Sequence, residues 1–184
     1  MVLSIEKLSK KLRSVPETED ANAAVALLLM LEGETAYILL VRRVQDAHDP
    51  WSGQIALPGG KREPSDKDLK KTVVRETMEE TNINLLDNCQ LVGVMSPFQS
   101  KRLPEMRVLP FVFLARRKPH IKLNKKELNE YHWTCLDVLA RNRTIAKFSF
   151  GEVPAFIVGD AIVWGLTYRI LESLLSCVEN GHRS

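Results

Sequence analysis

The sequence predicts a single α/β domain, on three observations. Four apolar stretches have the composition of strands: "AAVALLLM", "AYILLVRR", "QLVGVMSPF" and "RVLPFVFLARR". Two or three segments with apolar residues at helical spacing are interspersed among them. The 184 residues, 45% apolar and 27% charged, contain no repeat, low-complexity tract or inter-domain linker. The chain divides into an N-terminal helix and loop over 1–20, packed on a domain over 21–184.

From Ser4 to Val15, Ile5, Leu8 and Leu12 recur at helical spacing with lysines opposite, which predicts a short amphipathic helix. "PETEDAN" is a polar loop. The first two apolar runs, separated by the glycine turn "LEGET", form a hairpin. The polar loop "VQDAHDPWSG" then leads to a short apolar run, "QIALP", and to the pair Gly59-Gly60. Beyond Pro64, Ser65 with Asp68 three residues on predicts a helix start, a capping box with aspartate as its acid. Leu69, Val73, Val74, Thr77 and Met78 form the buried stripe of that helix, and Glu76, Glu79 and Glu80 fall off it along one flank.

The next two strands are joined by the basic loop "QSKRLPEM". "LNKKELNEYHWTCLDVLARN" mixes a loop, a short strand and a short helix, and a long amphipathic helix from about Ala161 ends the chain.

A net charge of +3 is too small to argue for nucleic acid. Cys89, Cys135 and Cys177 are far apart and lack metal-ligand spacing, so they read as reduced thiols. The longest apolar run, 23–31, is too short to span a bilayer. The first residues show no signal-peptide pattern, and cytoplasm is the expected location.

Three carboxylates at i, i+3 and i+4 repel one another, each pair by about 0.2–0.5 kcal/mol. On most helices such a run is a solvated acidic face. Here it lies well inside the helix, where the dipole does not account for it, and it follows a glycine pair whose backbone can approach a ligand closely. Clustered carboxylates without His or Cys suit a hard divalent cation, Mg²⁺ or Mn²⁺, and such ions act on phosphate compounds.

The stretch from Gly60 to Ile83 resembles the Nudix box: a glycine, a spacer, then Arg75-Glu76-Thr77-Met78-Glu79-Glu80-Thr81-Asn82-Ile83. The spacer is one residue longer than usual, which leaves Asp66 as the nearest counterpart of the leading glutamate. Thr77 stands for an apolar residue, and Asn82 for a second glycine whose left-handed conformation Asn tolerates. Upstream, "LLVRR…WSGQIALPGG" is similar to the signature of the coenzyme A pyrophosphatase branch, with Leu39, Leu40, Arg43, Gly53, Pro58, Gly59 and Gly60 matching. Leu57 replaces a phenylalanine there, Val41 a threonine, and His48 or Asp49 an arginine. Trp164-Gly165-Leu166-Thr167 resembles that branch's closing segment.

The resemblance implies a Nudix-type α/β/α sandwich with a central mixed sheet. It also implies Mg²⁺-dependent hydrolysis of a nucleoside diphosphate derivative, coenzyme A foremost, with ADP-ribose, dinucleotides or oxidised nucleotides as alternatives. A non-catalytic Nudix sensor is the contrasting class, but such modules usually lose box glutamates. Glu76, Glu79 and Glu80, with the carbonyl of Gly60, would hold the metal, and Arg75 would orient a box glutamate through a bidentate contact. Glu127 and Glu130 are candidates for a proton acceptor outside the box. Arg43, Arg42 and Trp51 are candidates for substrate binding, through phosphate contacts and base stacking. Lys101 and Arg102 read as a solvated basic turn, within reach of a 3′-phosphate if coenzyme A is the substrate. Family members often form homodimers, an assembly the resemblance allows here with the N-terminal helix as a candidate contributor.

Overall fold

The computed structural model describes residues 3–16, 20–46 and 52–179. A mixed sheet of eight strands forms the centre. Its main path runs β3 (Ile55–Ala56), β2 (Thr35–Arg43), β1 (Ala23–Glu32), β7 (Arg107–Ala115) and β5 (Cys89–Val94). Off this path, β4 (Gly59–Lys61) pairs β1, β6 (Phe98–Gln99) pairs β7, and β8 (Leu128–Cys135) pairs β2. β1 runs parallel to β7 and antiparallel to β2 and β4.

The run "AAVALLLM" is apolar throughout because β1 is buried on both faces. Ala24, Ala26, Leu28 and Met30 enter one core with Leu69 and Val73 of α2 (Leu69–Thr81) and Leu85 of α3 (Leu85–Asn88). Leu27 and Leu29 enter the other, which holds Leu136 and Leu139 of α4 (Leu136–Arg141) and Ile170, Leu171 and Leu174 of α5 (Gly165–Glu179). This is the expected α/β/α sandwich. Among the described residues no helix is long and apolar enough to cross a membrane.

Several expected boundaries are corrected. The first helix, α1, spans only Ile5–Ser9. Beyond it Arg13 exchanges both backbone hydrogen bonds with Val94, each 2.9 Å, so the chain leaves the helix to join the edge of the sheet. A side chain at Gly93 would lie 2.8 Å from Leu12, so glycine permits that approach.

α2 does not start in a Ser65 capping box. Asp68 is its N-cap, accepting the Lys71 N–H at 2.7 Å, and Ser65 lies in the preceding loop. At the other end Asn82 takes the left-handed conformation with φ 61°, as expected for the cap.

The last helix begins at Gly165. Ala161–Trp164 is a strand, β11, paired with β10 (Gly151–Val158), which pairs β9 (Arg143–Phe148) in a separate antiparallel sheet. Its period is two: Phe156 and Val163 are buried, while Ile157 and Ile162 face out. The turn Gly159-Asp160, with Gly159 at φ 59°, divides an apolar run that composition alone reads as continuous with the helix.

Candidate active site

The glycine pair sets the site's floor. Gly59 faces Val25, and Gly60 faces Ala24, in the β4–β1 ladder. A Cβ on Gly59 would lie 2.2 Å from the Ala24 carbonyl oxygen, so only glycine fits that position. A Cβ on Gly60 would lie 2.6 Å from the carboxyl carbon of Glu76, so that carboxylate rests directly on the Gly60 backbone.

α2 does not present its three glutamates on one solvated flank. Glu80 is only 3% exposed, because it falls on the same helical face as Val73 and Thr77, while Met78, expected inside, is 43% exposed. The Glu80 carboxylate accepts the Gly59 N–H at 2.9 Å. Burial pushes its pKa up to about 8, and the Glu76 and Glu127 charges add to the rise; the Gly59 N–H and Arg43 oppose it. Burial likewise raises Glu76, against the pull of Arg75.

Arg75 is the hub of this face. Its bidentate fork goes to Asp66, with Nε at 3.1 Å and Nη2 at 2.9 Å from the two carboxylate oxygens, and not to a box glutamate. Its Nη1 reaches Glu76 at 3.0 Å and Glu79 at 3.1 Å. Asp66 is buried and also accepts the Thr72 hydroxyl and the Glu63 N–H. Its hydrogen bonds to Arg75 hold its carboxyl well below the usual carboxylate range. Asp66 thus clamps the arginine that holds Glu76 and Glu79, and it does not line the cavity beside them.

That cavity has a volume of about 840 Å³. Gly59, Gly60, Glu76, Glu80, Glu127 and Arg43 line it, whereas Glu79, Arg75 and Asp66 are not among its lining residues. Glu127 belongs to the loop before β8, whose Asn124 N–H binds the Glu80 carbonyl at 2.9 Å; the Asn124 amide also holds the Glu127 carboxylate at 2.7 Å.

Glu130 and Arg42 are not among the lining residues. They face each other across the β2–β8 ladder and pair at 2.7 Å, so neither is available as a proton acceptor or a phosphate contact. Trp51 lies outside the described residues. Phe150 and Arg169, not anticipated from the sequence, also line the cavity, as does Trp164, which was matched only as part of the closing segment. Phe150 stacks on Phe148 at 5.1 Å and meets Trp164 at 5.5 Å between ring centroids. The signal was present in "FSFG", where Phe148 ends a strand and Phe150 sits in the two-residue turn that precedes Gly151.

The fit to a divalent cation rests on the donor set. Glu76, Glu80, Glu127 and the Gly60 backbone offer oxygen donors only on one cavity, with Glu79 beside them on Arg75. Among the described residues no three His, Cys, Asp or Glu side chains converge on one point as they stand. Arg75 now occupies Glu76 and Glu79, so those carboxylates must turn from it to share an ion.

Residues 21–153 match the NUDIX domain. The mitochondrial coenzyme A diphosphatase of Mus musculus is 28% identical, over 96% of this chain and 85% of that one. An uncharacterized protein of Schizosaccharomyces pombe is 33% identical over 53% of this chain, but the match spans only 31% of that relative's length. Among solved structures, a Caenorhabditis elegans Ap4A hydrolase superposes with a TM-score of 0.57 at 17% identity, covering 88% of this chain and 96% of that one. The domain match covers most of the chain, and the sandwich and the Gly60–Asn82 segment agree with it; this protein belongs to the Nudix family and is a pyrophosphohydrolase.

Proposed function

We propose that this Nudix hydrolase cuts the diphosphate of coenzyme A or its acyl forms, giving 3′,5′-ADP and a phosphopantetheine product. The observation that carries this reading is the composition of the cavity beside α2. It joins an acidic wall (Glu76, Glu80, Glu127) to cations (Arg43, Lys101, Arg102) and to aromatic and aliphatic surface (Phe150, Trp164, Leu166). Its volume lies in the range of about 300–1,000 Å³ typical of small-molecule sites. A diphosphate joined to a base and to a long, less polar arm presents the complementary chemistry. The similarity to the mouse coenzyme A diphosphatase supports the same substrate.

Glu76, Glu79 and Glu80, with the Gly60 carbonyl, would hold Mg²⁺, with Mn²⁺ as a substitute. When bound there, such an ion polarises diphosphate oxygens and makes water a better nucleophile. Arg43 neutralises charge on the phosphates. Glu127 accepts the proton of the attacking water as the bridging P–O bond breaks, since it faces the cavity and Glu130 does not. The leaving phosphate requires charge neutralisation more than a strong acid.

A hydrolysis panel with products identified by mass tests the reading. Coenzyme A, an acyl-coenzyme A, ADP-ribose, NADH, a diadenosine polyphosphate and an oxidised nucleotide are compared with Mg²⁺. Preferential release of 3′,5′-ADP is the expected result. Preference for another compound reassigns the substrate, and no turnover with either Mg²⁺ or Mn²⁺ would make the fold a sensor here.

A further inference from the structure

Four arginines of the described structure meet acids: Arg42 with Glu130, Arg75 with Asp66, Arg107 with Asp20 and Arg143 with Glu172. Other cations lining the cavity behave differently. Lys101, Arg102 and Arg169 make no ion pair among the described residues; Lys61 makes none either, but it is the chain neighbour of Gly60, on which the Glu76 carboxylate rests. Lys101 and Arg102 are exposed at the tip of the loop between β6 and β7, whereas Arg169 is half-buried on α5.

The loop that carries Lys101 and Arg102 is solvated at its tip, as expected, and braced from within. Ser100 donates its N–H to Met106 at 2.8 Å, and its hydroxyl accepts the Leu103 N–H at 3.1 Å. The Gln99 amide binds the Pro104 carbonyl at 2.8 Å. Arg169 reaches across from α5 to donate to the Gln99 carbonyl, immediately before the two basic residues. That contact uses Nη2, and the Arg169 Nε is buried without any hydrogen-bond partner. A half-buried guanidinium with an unsatisfied N–H and no counter-ion is an incomplete arrangement that an anion would finish.

We propose that Lys101, Arg102 and Arg169 form a second anion subsite, which takes a phosphomonoester carried on the nucleoside away from the scissile diphosphate. It rests on the substrate reading above and deepens it, since coenzyme A carries such a group and ADP-ribose and most dinucleotides do not. The diphosphate belongs with Arg43, which acts electrostatically on Glu80, and with the acids of α2. A further phosphomonoester, close to a dianion at neutral pH, is repelled by Glu76 and Glu127 and attracted to Lys101, Arg102 and Arg169.

The test is calorimetric binding of adenosine 3′,5′-bisphosphate against AMP, without divalent ions. Wild type is expected to bind the bisphosphate roughly ten- to a hundredfold more tightly, the ratio expected of one or two charge-assisted contacts. In Lys101→Ala/Arg102→Ala the ratio falls towards one. Lys70→Ala/Lys71→Ala removes the same charge from an exposed part of α2 and keeps the wild-type ratio. Arg169→Gln gives a smaller loss by the same measure. Equal binding of both ligands by wild type, or a preference that survives in Lys101→Ala/Arg102→Ala, overturns the subsite. So does an equal fall in the Lys70→Ala/Lys71→Ala control. Turnover separates the two claims. If neither coenzyme A nor its 3′-dephospho form is hydrolysed while the binding preference holds and vanishes in the loop variant, the substrate reading fails and the subsite stands.

Discussion

Two arginines organise carboxylates in this molecule, and burial separates what they do. Arg75 and Arg42 each hold more than one acid through the same guanidinium chemistry. Around Arg75 the pairing is dry: Asp66 has a side-chain exposure of 1% and Arg75 one of 16%. Around Arg42 it is wet, with Glu130 at 40% and Asp160 at 78%. The dry hub fixes Glu76 and Glu79 beside the cavity, through Asp66, which stays outside it. The wet hub ties β2 to β8 and to the β10–β11 turn and touches no lining acid. A carboxylate beside an arginine is therefore a site residue only when the hub turns it towards the cavity.

The strongest way to break this contrast is through activity. Replacing Glu80 by Gln retains the shape and the acceptor for the Gly59 N–H, but removes the charge. Turnover with Mg²⁺ is expected to fall roughly 10²–10³-fold, the worth of several kcal/mol of metal-dependent stabilisation. The metal-free protein should stay folded by circular dichroism, because a neutral group suits that buried position. Wild-type turnover in Glu80→Gln would reduce the acidic helix to scaffolding.

Asp66→Asn addresses the dry hub itself. Breaking a buried pair by removing one partner costs about 3–5 kcal/mol, and the lower end applies because Arg75 keeps Glu76 and Glu79. Urea unfolding at neutral pH reads this directly, and turnover should fall with it as Arg75 loses its anchor. The pH dependence follows from the same pair. Asp66 is held below its unfolded value of about 3.9, so its contribution is complete above that pH and disappears as pH falls through the lower folded value. Wild type is expected to lose stability below about pH 4 more steeply than Asp66→Asn. Parallel acid curves would show that the pair contributes nothing to acid sensitivity.

Much of the Arg75 hub was legible in the sequence because it is local. Gly60, Arg75, Glu76, Glu79, Glu80 and the left-handed Asn82 lie on one short segment whose spacing carries its own geometry. The burial of Glu80 was hidden by a conflict of signals: helical period puts it with Val73 and Thr77, whereas its charge argues for solvent. The role of Asp66 was hidden because the loop before α2 folds back onto Arg75. The second sheet was missed because Ala161–Trp164 continues the apolar character of the helix after it. Arg169 and the loop holding Lys101 are far apart in sequence, and only the packing of α5 beside β6 brings them to one cavity. Local spacing and chemistry predict local geometry; the far wall of a cavity depends on tertiary packing.

The smallest expected effect belongs to the wet hub. Glu130→Gln removes a cross-strand partner of Arg42 at 2.7 Å, and Asp160 remains at 3.3 Å to share the guanidinium. Exposed pairs contribute about 0.2–1 kcal/mol, so urea unfolding should shift by less than 1 kcal/mol, about a third or less of the Asp66→Asn effect. The Arg42 pairing depresses the Glu130 carboxyl, which makes it a poorer base as well as one turned away from the cavity. Turnover of Glu130→Gln should therefore stay within about twofold of wild type, less than a 0.5 kcal/mol change in barrier. A loss comparable to Glu80→Gln would place Glu130 at the reacting atoms and erase the distinction between the hubs. Retained activity in Glu130→Gln, with a large loss in Glu127→Gln, would assign proton acceptance to the acid that the Asn124 amide already holds against the cavity.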